Sequence, residues 1–265
     1  MTPAGGAGAP GTRVHVRPDA VRGARIVLDA GETRHVRRVL RLSVGDLVRA
    51  MDGLGHEWTV RLTALGTRAE GEILEAGAPA DESPLGLTLA QGIPKGDKLE
   101  TIIRMSTELG VGAVVPLMTT RSIAREESHA RWAARRARWE RVAREASKQC
   151  GRAIVPGVAA PATLADWLAA RDARDREGVL VCLWERETAP LAEVLPTVRP
   201  ARAAVVVGPE GGLADDEVEA LRATGALVAG LGPRLLRTET AGPVAVALLQ
   251  ARWGDLGRRA DGAAP

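Results

Sequence analysis

The chain has 265 residues, 36 Lys and Arg against 33 Asp and Glu, a net charge of +3, and 45% hydrophobic residues, a composition that suits one large globular domain or two modest ones. It has no apolar run long enough to cross a bilayer and no basic-then-apolar start of a secretory signal. Two cysteines, Cys150 and Cys182, exclude a disulfide framework; four scattered histidines lack metal-ligand spacing; and a chain with six Trp but no Phe or Tyr is no aromatic RNA-stacking sheet.

These features lead to the expectation of a reduced, cytoplasmic, metal-free protein that spans no membrane. In chain order, residues 1–12 read as a disordered tail, because Ala, Gly, Pro and Thr dominate and bury little. Residues 13–80 read as a small β-barrel. Val14 and Val16 alternate with polar neighbours, Arg25 to Leu28 is a short strand, and Val44-Gly45-Asp46 is a turn before Leu47 to Ala50. Asp52-Gly53 signals a hairpin, and Trp58, Val60 and Leu62 alternate after it. One short helix is expected near Glu32 to Leu40. Ala76 to Pro84, rich in Gly, Pro and Ala, reads as a linker.

From residue 84 to 258 strands alternate with helices, the pattern of a parallel α/β sheet. Leu85 to Ala90 is an expected strand and Lys98 to Leu109 an expected helix, with Leu99, Ile102 and Ile103 on one face and Gly110 past its end. Ala113 to Leu117, Val179 to Leu183, Ala203 to Val207 and Ala226 to Leu231 read as strands. Ala130 to Gln149 reads as a long helix with Trp132, Trp139, Val142 and Ala146 inward. Asp215 to Arg222 has carboxylates in its first turn, where the helix dipole favours them. Pro243 to Trp253 reads as a last helix with Pro in its first turn, and residues 259–265 as a second disordered tail. From Arg121 to Arg152 ten Arg or Lys stand against four Asp or Glu. This stripe is either a phosphate-binding surface or a solvated helix face.

Two strand ends carry unusual loops, and in an open parallel sheet ligands bind outside the carboxyl ends of strands. The first is Val207-Gly208-Pro209-Glu210-Gly211-Gly212-Leu213, in which glycines permit close backbone approach. It is neither a Walker loop nor a dinucleotide fingerprint, which makes a nicotinamide-dependent dehydrogenase a poor reading. The second is Leu231-Gly232-Pro233-Arg234-Leu235-Leu236-Arg237-Thr238-Glu239-Thr240-Ala241. Its polar groups read either as a ligand loop or as a helix cap, with Thr238 or Thr240 capping and Glu239 in the first turn.

Together these loops resemble the signature of the 16S ribosomal RNA uridine-N3 methyltransferases (the RsmE family). His35 with Arg38 to Leu42 and Gly45-Asp46, Lys95 to Glu100, Thr107 to Val111, Trp139 to Ala143, Gln149 to Arg152 and Arg252 to Gly257 resemble further parts of that family in the expected order. Ala214 departs from the pattern where a capping Ser is common, which removes the Ser-x-x-Glu box with Glu217. Lys148 stands where an acidic residue is frequent, and Gly242-Pro243 where helix formers are usual.

The resemblance implies a PUA-like β-barrel that binds RNA, followed by an α/β SPOUT trefoil-knot domain, a rare exception to the rule against knots. It also implies S-adenosylmethionine as cofactor, 16S rRNA or the small ribosomal subunit as partner, and a homodimer that completes each site. On that basis we expect Leu183, Gly208, Pro209, Gly211, Gly212, Leu231, Gly232, Arg234, Leu235, Leu236, Thr240 and Ala241 to bind the cofactor. Arg237 is the expected stabiliser of developing charge, and Glu210 or Glu239 the expected base. Arg13, Arg38, Arg41, Arg121, Gln149 and Arg152 are the expected RNA contacts. Two other readings remain open: a SPOUT methyltransferase for another RNA, and a non-catalytic RNA-binding or assembly factor on the same fold.

Overall fold

A computed structural model of the chain describes residues 12–77, 82–122 and 128–257. The two expected tails lie outside the described residues except for Thr12, and so do residues 78–81 of the expected linker. The chain forms two compact units. One contains the described residues up to 77 together with Ser147–Val155, and the other contains the described residues from Glu82 to Ala146 and from Pro156 onward.

The first unit is built from β1 (Arg13–His15), a 3-10 turn (Pro18–Ala20), β2 (Val21–Arg22), β3 (Arg25–Val27), α1 (Ala30–Arg34), a π-helical turn (His35–Val39), β4 (Leu47–Met51), β5 (Glu57–Leu65) and β6 (Ala69–Ala76). The sheet order is β1-β4-β5-β6-β3-β2, with only β1 and β4 parallel. Val14 from one end of this sheet and Ile26 from near the other share a single core with Val36, Val48, Val60 and Leu62, so the sheet curls on itself. Two register shifts between β5 and β6 supply the bend. Asp29 caps α1 by accepting the Glu32 amide at 2.8 Å. The single helix expected over Glu32 to Leu40 is therefore a capped α-turn followed by a π-turn. The Asp52-Gly53 hairpin has a five-residue connection, held by the Asp52 carboxylate, which accepts the amides of Leu54 at 2.8 Å and His56 at 3.1 Å.

The second unit contains β7 (Gly86–Gly92), α2 (Lys98–Glu108), β8 (Ala113–Met118), most of α3 (His129–Cys150), β9 (Gly157–Val158), β10 (Ala162–Thr163), α4 (Leu164–Ala170), α5 (Ala173–Arg176), β11 (Val179–Leu183), α6 (Leu191–Val194), β12 (Arg202–Val207), α7 (Asp215–Ala223), β13 (Leu227–Ala229) and α8 (Thr238–Trp253). The sheet is wholly parallel in the order β10-β8-β7-β12-β11-β13, and β9 pairs with β8. Buried Ala90, Leu117, Cys182, Val206, Val218 and Leu221 share one core. Burial pushes the Cys182 thiol up to about 12, against a smaller opposing effect of Arg222, so it is protonated at neutral pH.

Four expectations are corrected here. α8 begins at Thr238 rather than Pro243, which lies inside it; Gly242 packs so tightly on Gln91, Ile102 and Leu89 that tertiary contact overrides the helix-breaking pair. Neither Thr238 nor Thr240 caps this helix, since the N-cap is Arg237, which makes no side-chain cap bond. Ala214 does not abolish the capping box entirely, because Glu217 still accepts the Ala214 amide at 2.8 Å. The inward face of α3 is Trp139, Ala143 and Ala146, with Trp132 and Val142 only half-buried.

The chain leaves β13 at the edge of the sheet and returns to its centre, where α8 packs on α2, β7 and β12. On the way it runs beside the connection between β11 and β12. The Gly230 amide donates to Ala189 at 2.9 Å and the Leu191 amide to Gly230 at 3.0 Å.

Candidate active site

Three neighbouring parallel strands end level with one another. Leu183 at the end of β11 is in register with Val207 of β12 on one side and Ala229 of β13 on the other. The loops that leave these ends enclose a cavity of about 600 Å³. The glycine-rich loop after β12 and the Arg-Thr-Glu loop after β13 therefore meet in one pocket.

Gly212 has a φ of 71°, which disfavours any other residue, and a Cβ there would fall 2.5 Å from a carboxylate oxygen of Glu185. At Gly208 a Cβ would fall 2.7 Å from the backbone of Gly212. The pocket is thus shaped by missing side chains. It is braced by a buried chain of polar groups. The Thr238 hydroxyl donates to the Gly208 carbonyl at 2.7 Å, and the buried Gln91 amide of β7 donates to the Thr238 hydroxyl at 2.9 Å.

Lys98, from the first turn of α2, ties the two loops together. Its ammonium lies 2.9 Å from Glu210 Oε1 and 3.3 Å from Glu239 Oε2. The Glu210 hydrogen bond is the main reason that the Lys98 pKa is raised, with Glu239 adding to it against some loss of hydration. Burial pushes the Glu210 carboxyl up, but hydrogen bonds from Lys98 and from the amides of Glu210 and Lys95 outweigh it, and the net shift is downward. Glu239 is lowered first by its own amide and then by Lys98. Both carboxylates are ionised at neutral pH. Arg237 stands at the cavity mouth with 84% of its side chain exposed, 3.9 Å from Glu239 Oε1.

Of the expected cofactor residues, Leu183, Gly208, Pro209, Gly211, Gly212, Leu231, Gly232, Arg234, Leu235, Leu236 and Ala241 all line the cavity, as do Arg237, Glu210 and Glu239. Thr240 does not; it is exposed, and its amide donates to the Arg237 carbonyl at 2.8 Å. Among the expected RNA contacts, Arg38, Arg41, Arg121 and Gln149 are exposed. Arg121 also donates to the Gly211 carbonyl at 2.7 Å. Arg13 is mostly buried and lies 3.4 Å from Glu57, and Arg152 is half-buried.

Sequence reasoning missed Lys98, Trp184, Glu185, Glu187 and Gly230 as lining residues. Lys98 belongs to the Lys-Gly-Asp-Lys stretch, whose two lysines before a helix were a usable signal. Trp184 to Glu187 follow a buried strand end, the position at which the other two loops drew notice.

Comparison with known proteins agrees with this geometry. The family model described as an RNA methyltransferase domain matches residues 81–250, and that of an RNA methyltransferase PUA domain matches residues 28–74. A ribosomal RNA small subunit methyltransferase E of Synechocystis is 34% identical over 240 residues, covering 90% of this chain and 77% of its own. Its namesake in Bacillus subtilis is 32% identical over 79% of this chain and 83% of its own. The crystal structure of a ribosomal RNA small subunit methyltransferase E from Neisseria gonorrhoeae, bound to S-adenosyl methionine, superposes with a TM-score of 0.82 at 32% identity. It covers 92% of this chain and 98% of that one. The fold is the expected one, a PUA-like barrel followed by an α/β SPOUT trefoil-knot domain. The chain belongs to the family of ribosomal RNA small subunit methyltransferases E.

Proposed function

We propose that this chain transfers the methyl group of S-adenosylmethionine to N3 of a uridine in 16S ribosomal RNA. The observation that carries the reading is the junction of the two strand-end loops in one cavity. Its volume of about 600 Å³ suits a ligand of this size. The loop that walls the cavity turns as tightly as it does because Gly208 and Gly212 lack side chains; a Cβ at Gly208 would meet the Gly212 backbone and one at Gly212 the Glu185 carboxylate.

When bound, the cofactor supplies an electrophilic methyl group on a sulfonium. The protein's part is alignment, exclusion of water and management of charge. Uracil N3 carries a proton and becomes nucleophilic as that proton leaves, which spreads negative charge to O2 and O4. Arg237, exposed at the mouth, stabilises that charge. Glu239 is the better placed of the two candidate proton acceptors. Glu210 is held by Lys98 and by the Lys95 amide at 3.1 and 3.3 Å, whereas Glu239 is held by Lys98 and stands beside Arg237.

In this reading residues 13–80 form the RNA-binding domain and residues 84–258 the transferase domain, and the protein works in the cytoplasm as a homodimer. The dimer is supported by α8, whose outer face leaves Leu248 46% exposed beside exposed Ala251. RNA is held through Arg38, Arg41, Arg121, Gln149 and Arg152, with the mostly buried Arg13 contributing less. If phosphates dominate, the logarithm of the binding constant falls linearly with the logarithm of salt concentration, by about 0.7 per phosphate neutralised on single-stranded RNA. A flat salt response in a filter-binding series removes this role.

The deciding experiment is mass mapping of nucleosides after incubation with small ribosomal subunits and isotopically labelled cofactor. N3-methyluridine in 16S rRNA is the expected product. Label in transfer RNA instead would assign another substrate, and no calorimetric signal with S-adenosylmethionine would favour a non-catalytic RNA-binding factor.

A further inference from the structure

The cavity carries four carboxylates, Glu185, Glu187, Glu210 and Glu239. Three have their charge committed. Glu187 accepts the amides of Thr188 and Ala189 and pairs with Arg222 at 3.0 Å. Glu210 and Glu239 share Lys98. Glu185 differs: among the described residues no hydrogen bond or ion pair reaches its carboxylate. The cation next to it in sequence, Arg186, is turned away to Asp215 at 2.9 Å.

The protein makes room for this free charge. The Glu185 carboxylate lies where a side chain at residue 212 would stand, with both oxygens within 2.8 Å of the Cβ position. Gly212 is required by its φ of 71°, and its missing side chain leaves room for the exposed Glu185 carboxylate to lie against the loop. An uncommitted carboxylate at the wall of a ligand cavity is a site for a cationic group, since a charge-assisted hydrogen bond is about twice as strong as a neutral one.

We infer that Glu185 binds the ammonium of the cofactor's amino-acid end. This rests on the reading of the cavity as the S-adenosylmethionine site. Glu185 discriminates donors that carry the amino acid from fragments that lack it, and it takes no part in the proton transfer.

The test is isothermal titration of the wild type and of Glu185→Gln with three ligands: S-adenosylmethionine, S-adenosylhomocysteine and methylthioadenosine. The first two carry the ammonium, only the first carries the sulfonium, and the third lacks the amino acid. Glu185→Gln keeps the shape and removes the charge. A loss of about tenfold in affinity for the first two, with methylthioadenosine unchanged, is expected. An equal loss for all three would place Glu185 on the nucleoside and overturn the inference. A loss confined to S-adenosylmethionine would place it at the sulfonium and overturn it as well, as would no loss at all. Glu185→Asp, which restores the charge on a shorter arm, is expected to recover part of the difference. Failure of the wild type to bind S-adenosylmethionine would instead remove the cofactor site, and the inference with it.

Discussion

Replacing Arg237 by Ala is expected to lower turnover by about a hundredfold or more, while affinity for S-adenosylmethionine stays within about threefold of the wild type. The side chain is 84% exposed and its nearest charged partner is Glu239 at 3.9 Å, so its removal costs the fold little. What it offers is a planar cation at the mouth of the cavity, where charge appears on the base only as the proton leaves. A group that acts on the transition state alone changes kcat and leaves ground-state binding alone. Equal losses in turnover and cofactor affinity would move Arg237 from the reacting base to the cofactor.

Replacing Lys148 by Ala is expected to destabilise the first unit by about 3–5 kcal/mol. Lys148 reaches both oxygens of Glu32, at 3.0 and 3.1 Å, and the two side chains are 6% and 9% exposed. Without the lysine, the buried Glu32 carboxylate keeps, among the described residues, only the His15 amide at 3.3 Å. A buried charge stripped of its partner is costly, whereas two apolar residues of similar size often serve as well as the pair. The double variant Lys148→Met, Glu32→Leu is therefore expected to lie within about 1 kcal/mol of the wild type. Urea unfolding measures both. A single-variant loss below about 1 kcal/mol would mean that water reaches the pair and that it is worth no more than a surface bridge.

The site was legible in its backbone and less so in its charges. Gly208, Gly212 and Gly232 follow apolar runs, and a glycine there has few uses apart from a close approach or a left-handed turn. The Lys98 clamp was not legible, because its partners lie 112 and 141 residues further on and only the crossing of the chain brings them together. Glu185 carried one signal, its place just past the buried strand end at Leu183, but no glycine or motif beside it to set that strand end apart.

Local signals also misplaced the start of α8. Gly242-Pro243 disfavours a helix interior by propensity, yet Gly242 is buried where the helix presses on β7 and α2, and that packing decides the outcome. The short elements β9, β10, α4, α5 and α6 were not foreseen, since two to seven residues carry too little pattern to separate from a loop. Lys148, which stood out as a departure from the family pattern, has its reason in Glu32.

The brace formed by Gln91, Gly208 and Thr238 bears on the order of events during synthesis. Its members are separated by up to 147 residues, and the last of them opens the final helix. A growing chain still short of that helix can pair its central strands, but the pocket lacks one wall until the C-terminal segment has emerged and docked. Closure of the pocket is thereby deferred until residues 238–253 have emerged, and a chain cut short of them keeps the curled sheet of the first unit but not this brace.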